Sequence, residues 1–199
     1  MRKTVLMPLV TLLVAAILLL AAYNISLPAR EARIQQELTA KMPTILPGST
    51  VFAQEEYTGE DANIRAVYKG ETGYVVNTMT YGYAGNITML IGVSNEGKVT
   101  GLQVRDMQET YGLGAKALTD WEFLAQFLNT TGNVAIATSG ADVFSSATQK
   151  VEGAAAEEVY VDGLTGATVT SKAIARSVNS AVGFVTGADA VTEATKWGE

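Results

Sequence analysis

The chain has 199 residues, 14 Lys and Arg against 20 Asp and Glu, a formal charge of −6, and neither Cys nor His. Without thiols there is no disulfide, thiolate nucleophile or iron–sulfur ligation, and without imidazole there is no Ser-His-Asp machine and no usual haem or zinc ligand. An acidic chain without a basic patch argues against nucleic acid. Carboxylates remain for acid–base work or Mg²⁺ and Ca²⁺ binding, but their spacing contains no EF-hand loop and no metal site is expected.

From Thr4 to Tyr23 there is no charged residue, and Val5–Ala22 is rich in Leu, Val and Ala. That length suffices to cross a bilayer. Arg2 and Lys3 precede it, which favours a cytoplasmic N-terminus and an extracytoplasmic remainder. A cleaved signal peptide is the competing reading, but Asn24-Ile25-Ser26-Leu27-Pro28 makes a poor cleavage site. An anchor is therefore expected over 1–25. A helical connector should follow over 26–48, with Ile34 and Leu38 one turn apart and Pro43 and Pro47-Gly48 stopping it. One globular domain should occupy 49–187, with a loosely ordered tail at 188–199.

Strand signals begin near Val51. Asn63–Lys69 and Tyr74–Met79 flank the Gly70–Gly73 turn, and Asn86–Val93 and Lys98–Val104 flank Ser94–Gly97, so this half reads as an antiparallel meander. Tyr81, Gly82, Tyr83 and Gly85 mark a loop that either approaches a ligand or is an ordinary glycine turn. Glu109–Lys116 holds two glycines around Leu113, an exposed loop whose N–H groups should be free for an acceptor. Thr119 and Glu122 have capping-box spacing, and Trp121, Leu124, Phe127 and Leu128 should form one buried helix face.

Ala135–Lys150 carries no clear pattern, and Val159–Val161 reads as a short strand. Beyond it, Ile174, Val178, Ala181, Val182 and Val185 share a helix face, with Thr170 as the expected N-cap. Between strand and helix lies Asp162-Gly163-Leu164-Thr165-Gly166-Ala167-Thr168-Val169-Thr170. A helix N-terminus offers unpaired N–H groups and a positive dipole end to an anion. Gly166 and Ala167 leave room for a bulky group, Thr168 supplies a hydroxyl, and Lys172 can reach the same phosphate. The tripeptide itself is cheap here, since Ser139-Gly140-Ala141 and Thr186-Gly187-Ala188 repeat it. Only the middle copy has a fourth-place hydroxyl, an upstream Asp and a following helix. On these residues alone Thr168 is either an anion-site residue or an ordinary helix-start threonine.

Two motifs carry a resemblance to a known family. Asp162–Thr170 matches D-x-x-[S/T]-G-A-[T/S]-x-[S/T], and Glu109–Lys116 matches E-T-P-G-L-G-x-K with Tyr111 in place of Pro. In that order and spacing the chain resembles, over nearly its full length, the FMN-binding domain of the G subunit of the Rnf (Rsx) electron-transport complex. It is more distantly similar to the C subunit of the Na⁺-translocating NADH:quinone reductase. The resemblance implies an α+β fold with a single N-terminal transmembrane helix and one extracytoplasmic FMN-binding domain built on an antiparallel sheet with flanking helices.

It also implies FMN joined through its phosphate to Thr168 as a phosphoester by a separate Mg²⁺-dependent flavin transferase that uses FAD as donor. Thr165, Gly166, Ala167, Thr170 and Lys172 would surround the phosphate. Glu109, Thr110, Leu113 and Gly114 would lie against the isoalloxazine ring. The function implied is that of a redox component, not catalytic on its own, in the cytoplasmic (inner) membrane. It would work with the other Rnf subunits and membrane lipid, within a complex coupling ferredoxin:NAD⁺ electron transfer to Na⁺ or H⁺ movement. A quinone-reductase-like flavoprotein, a non-redox phosphate- or nucleotide-binding module and a purely structural scaffold are the alternatives.

Overall fold

The computed structural model describes residues 2–137 and 159–187, and the chain divides into two compact units, Met1–Lys41 and Met42–Glu199. The described residues of the first unit are all helical. Helix α1 runs Arg2–Ile45, and its apolar part is long enough to cross a membrane. It passes through Pro28 and also through Pro43, where the sequence pattern predicts a stop. A proline forfeits one N–H bond but holds its own φ near the helical value, so one bond is lost and the helix continues. The true stop comes at Pro47-Gly48, where Gly48 has φ +87° and Leu46 N–H closes the last turn on the Met42 carbonyl at 2.8 Å.

The second unit begins with the last residues of α1. A five-stranded antiparallel sheet follows in sequence order: β1 Ala53–Glu55, β2 Ile64–Lys69, β3 Gly73–Tyr81, β4 Asn86–Ser94 and β5 Val99–Met107. The expected meander is present, with β1 added at its edge. Tight turns at Gly70–Gly73 and Ser94–Gly97 set the register, with Gly97 at φ +80°. A 3-10 turn, Gly114–Leu118, leads to the short helix α2, Trp121–Ala125. Strands β6, Val134–Ala137, and β7, Val159–Asp162, pair in parallel, and helix α3 spans Thr168–Thr186. The unpatterned stretch after Ala137, the first Ser-Gly-Ala run and the tail 188–199 lie outside the described residues.

The core forms between α3 and the two sheets. Val67, Val76, Ile87, Met89 and Ile91 face Ile174, Val178, Ala181 and Val182, with Phe123, Phe127, Val134, Ile136 and Val161 closing it. Buried polar groups dock the helix at defined places. Thr80 Oγ1 donates to the Ala173 carbonyl at 3.0 Å, and Asn179 takes both the N–H and the carbonyl of Val134, at 2.8 and 3.0 Å. At the sheet's Gly92 and Gly101 the Ile45 carbonyl comes so close that a Cβ at Gly101 would lie 2.5 Å from it. Thr100 Oγ1 donates to that same carbonyl at 2.9 Å.

Two expectations about α2 are corrected. Its N-cap is Asp120, whose Oδ1 accepts from Phe123 N–H at 3.0 Å, and not Thr119. Thr119 instead ends the 3-10 turn, its N–H and hydroxyl both donating to the Lys116 carbonyl, at 3.0 and 3.4 Å, so the next residue caps α2. With the helix starting at Trp121, that ring is 67% exposed and Phe123 turns inward instead.

Candidate functional site

Strand β7 delivers the chain to the start of α3 through Gly163–Ala167. Gln126 anchors the strand's end: Asp162 N–H donates to its Oε1 at 2.9 Å, and its Nε2 donates to the Asp162 carbonyl at 3.5 Å. Gly163 N–H donates to the Ala137 carbonyl at 3.3 Å. Ser171 then ties the loop to the helix, accepting from Leu164 N–H and donating to the Ala167 carbonyl, each at 3.0 Å. Gly166 adopts φ +75°, a value that costs a side chain about 1–2 kcal/mol.

The N-cap of α3 is Ala167 and not Thr170, and no side chain caps the helix. Thr168 is therefore the first helical residue and is exposed. Thr170 sits too deep in the helix to cap it. It is 1% exposed, and its hydroxyl donates to Glu109 Oε2 at 3.1 Å. Among the described residues, the amides of Thr168, Val169 and Thr170 have no acceptor. This is the anion-accepting end that a capping side chain would otherwise occupy.

Glu109 gathers the rest of the site. Its Oε1 accepts from Ala84 N–H at 3.2 Å while its Oε2 takes the Thr170 hydroxyl, so one carboxylate joins the Gly82–Gly85 turn to α3. Both glycines beside it leave room for that carboxylate. A Cβ at Gly114 would stand 2.5 Å from Thr170 Oγ1 and 2.7 Å from Glu109 Oε2, and one at Gly82 would strike Glu109 Oε1. Leu113 is 46% exposed and passes beside Gly166, 3.3 Å from where its Cβ would be. The loop's amides are less available than expected. Leu113 and Ala115 N–H both turn back to the Thr110 carbonyl at 3.2 Å, because Gly112, at φ +78°, folds the loop on itself. Tyr111, which stands where the family motif has proline, is 96% exposed.

Of the residues singled out from sequence, Thr165, Gly166, Ala167, Thr168 and Lys172 lie around the first turns of α3, and Glu109, Leu113 and Gly114 reach it from the facing loop. Thr110 contributes its carbonyl to that loop's fold. Ser171, Gln126 and Arg176 were missed. The first two read as ordinary polar residues until their partners are known, whereas Arg176 follows Thr168 and Lys172 at helical spacing and was visible to that rule. Burial pushes the Arg176 guanidinium below its ordinary value. A cavity of about 560 Å³ opens at the far end of α3, between Tyr57, Asp61, Ser180 and Phe184, well away from Thr168.

Residues 82–183 match the FMN-binding domain family. The chain is 34% identical over 112 residues to the G subunit of the Na(+)-translocating ferredoxin:NAD(+) oxidoreductase complex of Acetobacterium woodii, a match covering 55% of this chain and 47% of that one. The matched part thus spans about half of that relative's length. With the G subunit of the ion-translocating oxidoreductase complex of Methanosarcina acetivorans the identity is 30% over 185 residues, covering 86% of this chain and 87% of the relative. A crystal structure of the C subunit of Na(+)-translocating NADH-quinone reductase from Parabacteroides distasonis is similar over 64% of each chain, with 23% identity and a TM-score of 0.45.

Proposed function

Since the chain belongs to the FMN-binding domain family, among the G subunits of ion-translocating oxidoreductase complexes, we propose that it is a membrane-anchored electron carrier whose FMN is esterified through its phosphate to Thr168. Helix α1 is the anchor, with its N-terminus cytoplasmic and the domain on the outer face. The complex it serves is of Rnf type, coupling ferredoxin:NAD⁺ electron transfer to Na⁺ or H⁺ movement. The chemistry supplied by bound FMN is reversible electron uptake; the protein supplies position and electrostatics.

One observation carries the reading: Thr168 presents an exposed hydroxyl at an uncapped helix start, beside a glycine that leaves the approach open. The amides of Thr168–Thr170 hold the phosphate oxygens, and Lys172, one turn on, adds a positive charge. Leu113 provides an apolar surface beside Gly166. Glu109 holds the Gly82–Gly85 turn and α3 at a set distance, so it shapes the site without donating to the ligand. A threonine hydroxyl is a weak nucleophile unless a base activates it, so the ester is made by a flavin transferase with FAD and Mg²⁺.

The test is the intact mass of the full chain produced with and without that transferase, each beside Thr168→Ala. A gain of one FMN less one water, seen only with the transferase and lost in Thr168→Ala, is the expected result. Flavin that co-purifies but leaves on unfolding would replace the ester with a reversible phosphate-binding module.

A further inference from the structure

Helix α3 is buried nearly all round. Between Thr168 and Gly183 only Thr168, Val169, Lys172 and Arg176 are not buried. Thr168, Lys172 and Arg176 follow at i, i+4 and i+8, so they form one open stripe, about 12 Å long at the helical rise. The stripe runs from the flavin attachment point toward the tyrosine-bearing turn after β3. Arg176 stands at its end in an unusual state. One Nη donates to the Tyr81 carbonyl at 3.3 Å, whereas Nε is buried and has no acceptor among the described residues. The ion pairs among the described residues are Lys69–Glu55 and Lys98–Glu96, so none of their carboxylates pairs with it. A half-buried cation with an orphaned donor is costly unless an acceptor arrives. The exposed rings of Tyr81 and Tyr83 flank the same turn.

We propose that Arg176 is the residue that meets the pyrimidine edge of the flavin, the C2 carbonyl and N1, and that it favours the reduced ring by pairing with the charge that develops there. This inference rests on the attachment of FMN at Thr168. A five-carbon ribityl chain and the ring system laid along the stripe reach the distance from Thr168 to Arg176, with Lys172 left at the phosphate end. Taking up two electrons and one proton at N5 leaves one negative charge on the N1–C2 edge. The Arg176 guanidinium charge supplies a partner for that charge, and the Tyr81 carbonyl holds the guanidinium in place. Charge near N1 is one of the ways a protein tunes a flavin.

The experiment is a dithionite titration of the full chain in detergent, loaded by the transferase and checked by intact mass. Wild type, Arg176→Met and Arg176→Lys are compared. Arg176→Met should carry the same added mass but favour the reduced form about tenfold less, a midpoint lower by about 30 mV for a two-electron couple. Arg176→Lys should recover part of that shift by restoring the charge. Should Arg176→Met fail to fold or load, Arg176→Gln, which keeps hydrogen-bond donors but loses the charge, reads the same shift. An unchanged midpoint in the loaded uncharged variant overturns the assignment of Arg176 while leaving the Thr168 ester intact. Absence of added mass from wild type overturns the ester itself, and the inference with it.

Discussion

At the scale of single residues, the site is organised by side chains that never reach a ligand. Thr170 and Glu109 are 61 positions apart, and their 3.1 Å bond holds the facing loop to the start of α3. Ser171 closes the Leu164–Ala167 loop onto the helix. Asn179 is the most committed of these groups, because both its amide atoms satisfy the backbone of Val134 in the core. Asn179→Leu strands a buried N–H and a buried carbonyl, so it should cost about 2–6 kcal/mol at roughly 1–3 per group. A urea titration followed by far-UV circular dichroism reads that loss as a lower midpoint with an unchanged slope. Thr168→Ala, by contrast, removes an exposed hydroxyl and should leave the same midpoint within about 0.5 kcal/mol while removing the flavin. Separate effects at these two positions on one helix would divide fold from function.

At the scale of elements, the Glu109–Leu118 segment shows two different uses of glycine. Gly114 is needed for space, since its Cβ would meet Thr170 and Glu109. Gly112 is needed only for its φ of +78°, with nothing within 4 Å of its would-be Cβ. Gly112→Ala should therefore cost about 1–2 kcal/mol of backbone strain and leave the flavin absorption band unmoved. Gly114→Val forces the loop away from α3, costs about 1–3 kcal/mol by overpacking, and should shift that band. Equal spectra for the two loaded variants would contradict this account. The start of α2 teaches a related lesson. Thr119 and Asp120 are both good caps by residue type, and which of them serves depends on where the 3-10 turn ends.

At the scale of the whole molecule, two units are joined in one chain, and each has its own solvent. The first unit's apolar helix fits a bilayer, and the second carries a core closed around α3. The full chain should stay in the membrane fraction through high-salt and alkaline washes and leave only with detergent. A chain lacking 2–41 should appear in the soluble fraction with the thermal transition of the intact protein's domain. Its release would locate the anchor in α1, whereas retention of the shortened chain by membranes would call for a second attachment surface.

What the sequence determined by itself is what depends on near neighbours along the chain. The apolar run of α1, the turn chemistry of Gly70–Gly73 and Ser94–Gly97, and the period of Ile174, Val178 and Val182 are local signals, and each appears in the structure as an element of the expected type. The two motifs around Glu109 and Thr168 could also be read, because their residue order is specific. Tertiary structure alone decided what those residues touch. The N-cap moved from Thr170 to Ala167 because the helix begins at Thr168, which leaves the Thr170 hydroxyl to a distant carboxylate, and Trp121 gave its place in the core to Phe123 because α2 began at an aspartate cap. Pro43 failed to end α1 because a long helix absorbs the loss of a single bond. Arg176 acquired its unpaired Nε only when α3 was packed against β3 and the turn at Tyr81. A pattern along the chain records which residues share a face, whereas a partner many positions away is chosen by packing, and the chemistry of this site depends on that choice.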